Sequence, residues 1–314
     1  MGGATAEVTR QRALAGGALV VAVAAVVAWA LARQQNSLAV TLVRAVADGS
    51  AVVAFGLAAV PMLDIDRYRG ELIRRATGPL TIASAIWLVA ELLRLGVAAA
   101  QAAAVPVSRL GVHTAVDFAL HTTPGRSGLF SAVAAALVCV TVVATPRSSS
   151  TNVAVVGLAA AGVAARPLTG HLSESALGGV AVAVHTLAAA LWCGALAALV
   201  LTVGHRGQWA RVLPRFSRLS LVCVAALLVG GVLAAVATVG SPSQLYATGY
   251  GRVLSAKVAV TVVLVLLAYR NRTVWLPAAR THRATAVVSR SRALFELAIM
   301  AVALTLAAAL AVTG

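Results

Sequence analysis

Six histidines are the residues of this chain best suited to chemistry, since imidazole is the commonest side-chain ligand for transition metals and most of the remaining sequence is apolar. His171 follows Leu168-Thr169-Gly170 at the close of one apolar run, and His185 lies about nine residues into the next. At about 1.5 Å of helical rise per residue, His185 sits about 13 Å below the point where its run begins. An imidazole at that depth needs a metal or a hydrogen-bonding partner. A metal site and a core histidine satisfied by a hydrogen bond are the two readings of His185. A separate set, His113, Asp117 and His121, is spaced i, i+4, i+8 on one helical face. Neighbours in that set can share an ion, but His113 and His121 stand about 12 Å apart along the axis, too far for one coordination sphere. A wet helix face accounts for the set, and a patch handing metal to a deeper site is the alternative. His205 and His282, among arginines, read as solvated.

Ionisable residues also occur inside apolar runs: Arg44 and Asp48, Glu91 and Arg94, Lys257, and Glu296. Each costs at least about 2.5–3.5 kcal/mol at the centre of a spanning helix, so it faces the bundle interior and a partner. The spacings of four and three let Arg44/Asp48 and Glu91/Arg94 neutralise each other on one helix face. Lys257 has no partner in its own run, and depth makes Asp48 or Glu91 the expected one. Trp192 follows His185 by two helical turns and shares its face, where packing is the ordinary use. Cys139, Cys193 and Cys223 all lie in apolar runs, without paired loop cysteines or a Cys-x-x-Cys, so no disulfide framework is implied. Buried cysteine is usually a small hydrophobe. Cys193 and Cys223 are soft enough for Cu(I), yet Met62 and Met300 are too few for a thioether-lined metal path.

The elements that position these residues are membrane helices. Of 314 residues, 61% are hydrophobic and 11% charged, against about a quarter charged in a soluble domain. The apolar residues form runs near 20 residues, the length that crosses a hydrocarbon core of about 30 Å. Nine such runs, at about 13–32, 38–61, 80–103, 127–146, 152–170, 176–203, 215–240, 250–269 and 293–313, predict an all-α polytopic transmembrane bundle. Arg10 and Arg12 precede the first run and Ala30-Leu31-Ala32 resembles a cleavage site, but the run is longer than a signal peptide's apolar core, so a retained helix is expected. With the N-terminus inside, the outer connections hold only Arg33, Arg109, Arg126, Arg166 and Arg252, and the great majority of arginines fall in inner ones, so the N-terminus is inside and the C-terminus outside. The outer connection 104–126 is long enough for a short helix starting near Pro106 and ending before Pro124-Gly125, and 270–292 is the longest inner loop. The net charge of +16 is a topology signal spread over short connections, not a nucleic-acid-binding face. No repeat marks an inverted-repeat transporter, and no nucleotide-binding motif supports ATP hydrolysis. A non-enzymatic role is expected.

Several motifs follow in series: Gly170-His171; His185-Thr-Leu-Ala-Ala-Ala-Leu-Trp192-Cys193-Gly194; Arg215-Phe216-Ser217-Arg218-Leu219, opening a run with Gly230-Gly231; Tyr250-Gly251-Arg252-Val253-Leu254-Ser255-Ala256-Lys257; Asn271-Arg272; and Glu296 in the last helix. In type, order and spacing they resemble the copper resistance protein D (CopD) family of bacterial inner membranes. The first half resembles longer members of actinobacterial type through Arg44-Ala-Val-Ala-Asp48 and Trp87. The resemblance divides the chain into an N-terminal membrane region, 1–150, and a CopD-like domain, 151–314. It departs from the family in lacking a proline-rich tail. Some relatives continue into a cytochrome oxidase assembly domain of the CtaG type, so half of such a fusion is a further expectation.

The resemblance implies a bacterial cytoplasmic-membrane protein that moves copper, as Cu(I) or Cu(II), toward the cytoplasm or delivers it to copper-requiring proteins. His171 and His185 are then the ligands, with Lys257 and the Tyr250-Gly251-Arg252 segment closing or tuning the site. Expected partners are membrane lipid, copper and an extracytoplasmic copper chaperone or oxidase assembly factor, with no nucleic acid. A membrane scaffold for an assembly partner is the alternative. A b-type haem protein needs two facing axial histidines, and only His185 is well placed for that.

Overall fold

Four helices begin where the sequence supplies a hydroxyl. Ser37 accepts from Val40 N, Thr122 from Gly125 N, Ser148 from Thr151 N and Thr248 from Gly251 N, each satisfying a backbone N–H that the first turn leaves free. The computed structural model describes residues 2–32, 37–169, 176–238, 243–281 and 284–313, so His171 and His282 lie outside the described residues. Its helices are α1 (Gly2–Leu31), α2 (Leu38–Ala59), α3 (Asp66–Ala102), α4 (Val112–His121), α5 (Thr123–Ala144), α6 (Ser149–Ala164), α7 (Ala176–Thr202), α8 (Arg206–Thr238), α9 (Gln244–Ala247), α10 (Gly249–Arg270), α11 (Leu276–Arg280) and α12 (Ala286–Thr313). A π-turn, Asn271–Trp275, joins α10 to α11. Among the described residues there is no strand.

Seven helical segments are long and apolar enough to cross a membrane, the longest being Asp66–Ala102, and two apolar helices are shorter, Ala15–Leu31 and Ser149–Ala164. The nine predicted runs thus have seven full-length counterparts and two shorter ones, at the first and fifth positions. Ser148 caps the start of α6 and a turn at Ala165 and Arg166 closes its end, leaving a rod of about 24 Å. The predicted surface helix is α4, which ends before Pro124-Gly125 as expected but begins at Val112 and not near Pro106, and α5 starts already at Thr123, taking Pro124 and Gly125 into its first turn. Proline needs no N–H in a first turn, so it starts helices readily. The predicted inner loop 270–292 is largely helical, taken up by the π-turn, α11 and the start of α12.

Polar bonds fix how the rods line up. At one end, here the α4 end, Arg44 at the start of α2 donates to Ala311 O at the end of α12 (2.9 Å), and Arg252 at the start of α10 donates to Leu31 O at the end of α1 (2.8 Å). At the other, the α11 end, Arg211 of α8 grips Asp64 between α2 and α3 with two bonds (3.2 and 3.1 Å) and stacks over the Tyr68 ring at 4.0 Å. Arg75 of α3 reaches Thr202 O at the end of α7 (3.4 Å), and Asn152 of α6 donates to Ala58 O of α2 (3.0 Å). Within the rods, Thr41, Ser84, Thr202 and Thr305, all buried, return their hydroxyl protons to the carbonyl four residues earlier, which satisfies these four donors inside the bundle.

The core is built on small residues that bring backbones together. α2 and α7 cross at Gly56 and Gly194: a Cβ on Gly56 would fall inside the Gly194 backbone, and one on Gly194 would lie 3.0 Å from Gly56 N. Ala54, Ala58, Ala195 and Ala198 are fully buried beside this crossing. Large side chains such as Leu93, Val140, Leu221 and Leu266 are exposed on the perimeter, the surface that a membrane would cover.

Candidate metal centre

His185 stands on α7 in the half of the bundle toward the α4 end, pressed against α8. Its Nδ1 lies 2.8 Å from Leu227 O. A carbonyl only accepts, so Nδ1 carries the proton and donates, and Nε2 of the neutral ring keeps its lone pair. Gly230 and Gly231 make room for the ring. A Cβ on Gly230 would lie 2.7 Å from Ala181 O and 3.0 Å from His185 Cβ, and one on Gly231 would lie 3.1 Å from both Cε1 and Nδ1. The hydrogen bond to a backbone carbonyl is the arrangement that orients metal-ligating histidines and fixes their tautomer. It satisfies one ring nitrogen and reserves the other.

Lys257 of α10 lies within electrostatic range of this ring. The expected pairing of Lys257 with Asp48 or Glu91 is not found, because arginines take both carboxylates. Asp48 meets Arg94 Nη1 at 3.1 Å and Arg44 Nε at 3.6 Å, while Glu91 meets Arg94 Nη1 at 3.7 Å and is clasped by Arg166. No described carboxylate lies within ion-pair distance of Lys257. Both intrahelical pairs expected from spacing form, but they join into one chain, Arg44–Asp48–Arg94–Glu91–Arg166, that sews α2, α3 and the end of α6 together. Sequence spacing missed Arg166, which reads as an ordinary loop arginine. Burial holds its guanidinium below the usual arginine value, neighbouring Arg94 adds to that, and Glu91 opposes it. Gly128 is the discernible signal, since a Cβ there would lie 2.7 Å from Arg166 Nη2.

The other candidates are spread out. On α4, His121 Nδ1 pairs with Asp117 at 2.9 Å, both side chains being more than 70% exposed, and His113 is exposed two turns from His121. Arg252 spends its donors on carbonyls of Leu31, Tyr246 and Ala247, closing the ends of α1 and α9, with Tyr250 half-buried beside it. Trp192 is 1% exposed in the core, and its indole N–H has no acceptor among the described residues. Glu296 is buried and accepts from Asn271 Nδ2 at 2.6 Å. Among the described residues no three His, Cys, Asp or Glu side chains gather closely enough to hold a metal ion.

A helical bundle with buried charge chains, a lipid-facing perimeter and an oriented intramembrane histidine defines a multi-pass membrane protein. Its sequence matches "Copper resistance protein D-like, N-terminal domain" over residues 35–179 and "Copper resistance protein D" over residues 210–310. The chain belongs to the copper resistance protein D family. No curated protein and no solved structure matches it. His171 falls within the first matched stretch, and His185 falls between the two.

Proposed function

We propose that the protein carries copper across a bacterial cytoplasmic membrane, or hands it to copper-requiring proteins, without catalysis, through a histidine site in the outer half of the bundle. One observation carries this reading: the His185 ring is fixed over Gly230-Gly231 by the Leu227 carbonyl, with Nε2 left for a ligand. His171, fourteen residues earlier in sequence, captures the ion, and His185 holds it deeper. The chain crosses nine times, N-terminus inside and C-terminus outside. A cytoplasmic α11 end is supported by the arginines around Asp64 and Glu71, since basic loops are retained on that side. The α4 surface with His113, Asp117 and His121 is where an extracytoplasmic chaperone or assembly factor would deliver the ion.

Purified wild type is expected to hold more copper than His171→Ala or His185→Ala, and the double variant is expected to hold the least. Equal copper in all four proteins would defeat the site, and a stable co-purifying partner without copper would favour an assembly scaffold. Copper loading is also expected to fall as the pH is lowered, because a ligating imidazole must be neutral and protons compete for it. An equilibrium titration at several pH values reads this directly, and a flat profile would contradict histidine ligation.

Lys257 supplies an opposing charge that keeps the ion from being held too tightly for release. Removing it in Lys257→Met is expected to raise copper affinity on the order of tenfold, the size of a charge interaction of about 1–2 kcal/mol in a partly buried site. Competition against a chelator measures it. Unchanged or weaker affinity would remove Lys257 from the site.

A further inference from the structure

Deeper along the seam that holds His185, two thiols stand level with each other. His185 of α7 touches the position of Gly231 on α8. Eight residues onward along α7 is Cys193, and eight residues back along α8, which runs the other way, is Cys223. Equal steps along antiparallel helices keep the two residues at one level, about 12 Å farther into the bundle. Both are free, and they are 6% and 4% exposed. Cys193 is within electrostatic reach of both Cys223 and Glu296. Glu296 comes from α12 and accepts from Asn271, and Met300, one turn beyond it, is buried in the same core. A pair of soft sulfurs is what a soft monovalent cation prefers. Harder divalent ions favour oxygen-rich sites.

We propose that Cys193 and Cys223 form a second copper(I) station, which receives the ion from the His185 level and holds it between two sulfurs in the cytoplasmic half of the bundle. The inference rests on the copper reading and deepens it. The ion arrives and leaves as Cu(I), so no electron moves. One thiol gives up its proton to solvent as the Cu–S bond forms, and the resulting thiolate offsets the charge of the cation. Together with His185 the pair makes a two-step ladder, nitrogen first and sulfur second, running from the outer half inward.

The test is copper K-edge absorption on the purified full-length protein, loaded anaerobically from the copper(I)–bicinchoninate complex. The wild type is expected to show sulfur as well as nitrogen scatterers. Cys193→Ser/Cys223→Ser is expected to lose the sulfur shell and bind one ion fewer, and Cys139→Ser is expected to match wild type. His171→Ala/His185→Ala is expected to lose nitrogen and keep sulfur. A wild-type spectrum with nitrogen but no sulfur overturns the thiol station and leaves the histidine site standing. Sulfur without nitrogen supports the station and sinks the histidine reading, and no bound copper overturns both. The wild-type spectrum decides the matter even if the double variant fails to fold.

Discussion

Glu91→Ala is expected to destabilise the bundle by about 3–5 kcal/mol, the range for removing one partner from a buried ion pair. Glu91 is 1% exposed and lies between Arg94 and Arg166. Without it, two guanidinium groups face each other with one remaining carboxylate, Asp48, already shared between Arg44 and Arg94. The loss belongs to the stranded charge more than to the vanished bond, which makes a second outcome predictable. Glu91→Leu/Arg166→Leu, which removes the charge together with its partner, is expected to recover most of the stability, while Arg94 keeps Asp48. Thermal unfolding of purified protein in detergent compares the three. A double variant no better than Glu91→Ala would mean that the ion pair contributes something specific that apolar packing does not replace.

Gly194→Leu is expected to give no stably folded protein, and Gly194→Ala to lose at least about 3 kcal/mol, the upper range for overpacking. The obstacle is backbone against backbone: a Cβ on Gly194 lands on the α2 chain at Val52 and Gly56, where no rotamer change makes space. Gly49, two turns earlier on α2, is the matched control, because a Cβ there meets nothing within 4 Å. Gly49→Ala is expected to be neutral or to stabilise by up to about 1 kcal/mol through helix propensity. Detergent thermal shifts of the two alanine variants should therefore differ in sign or nearly so. Equal shifts would mean that α2 and α7 do not cross where the structure puts them.

These contrasts show which features sequence can carry. The apolar runs announced the helices because a spanning rod must be long and apolar along its whole length. Arg44/Asp48 and Glu91/Arg94 were legible because partners three or four apart on one helix meet by geometry alone. The links from Arg94 to Asp48 and from Arg166 to Glu91 cross between helices, so they depend on packing that spacing does not encode. For the same reason depth in the sequence pairs Lys257 with carboxylates that arginines already hold. Gly49 and Gly56 look alike in sequence, and only the approach of α7 separates them. At the candidate metal centre, the sequence pointed to the depth of His185, whereas its Leu227 partner came from the register of α8.

Copper movement into proteoliposomes carrying a luminal copper(I) indicator tests the account most directly, with wild type compared against His185→Ala and a Gly49→Ala control that leaves the site untouched. The expected result is indicator signal from wild type and control, with at least a tenfold slower rise for His185→Ala at equal protein incorporation. Equal rates for wild type and His185→Ala would contradict the claim that this imidazole lies on the copper path.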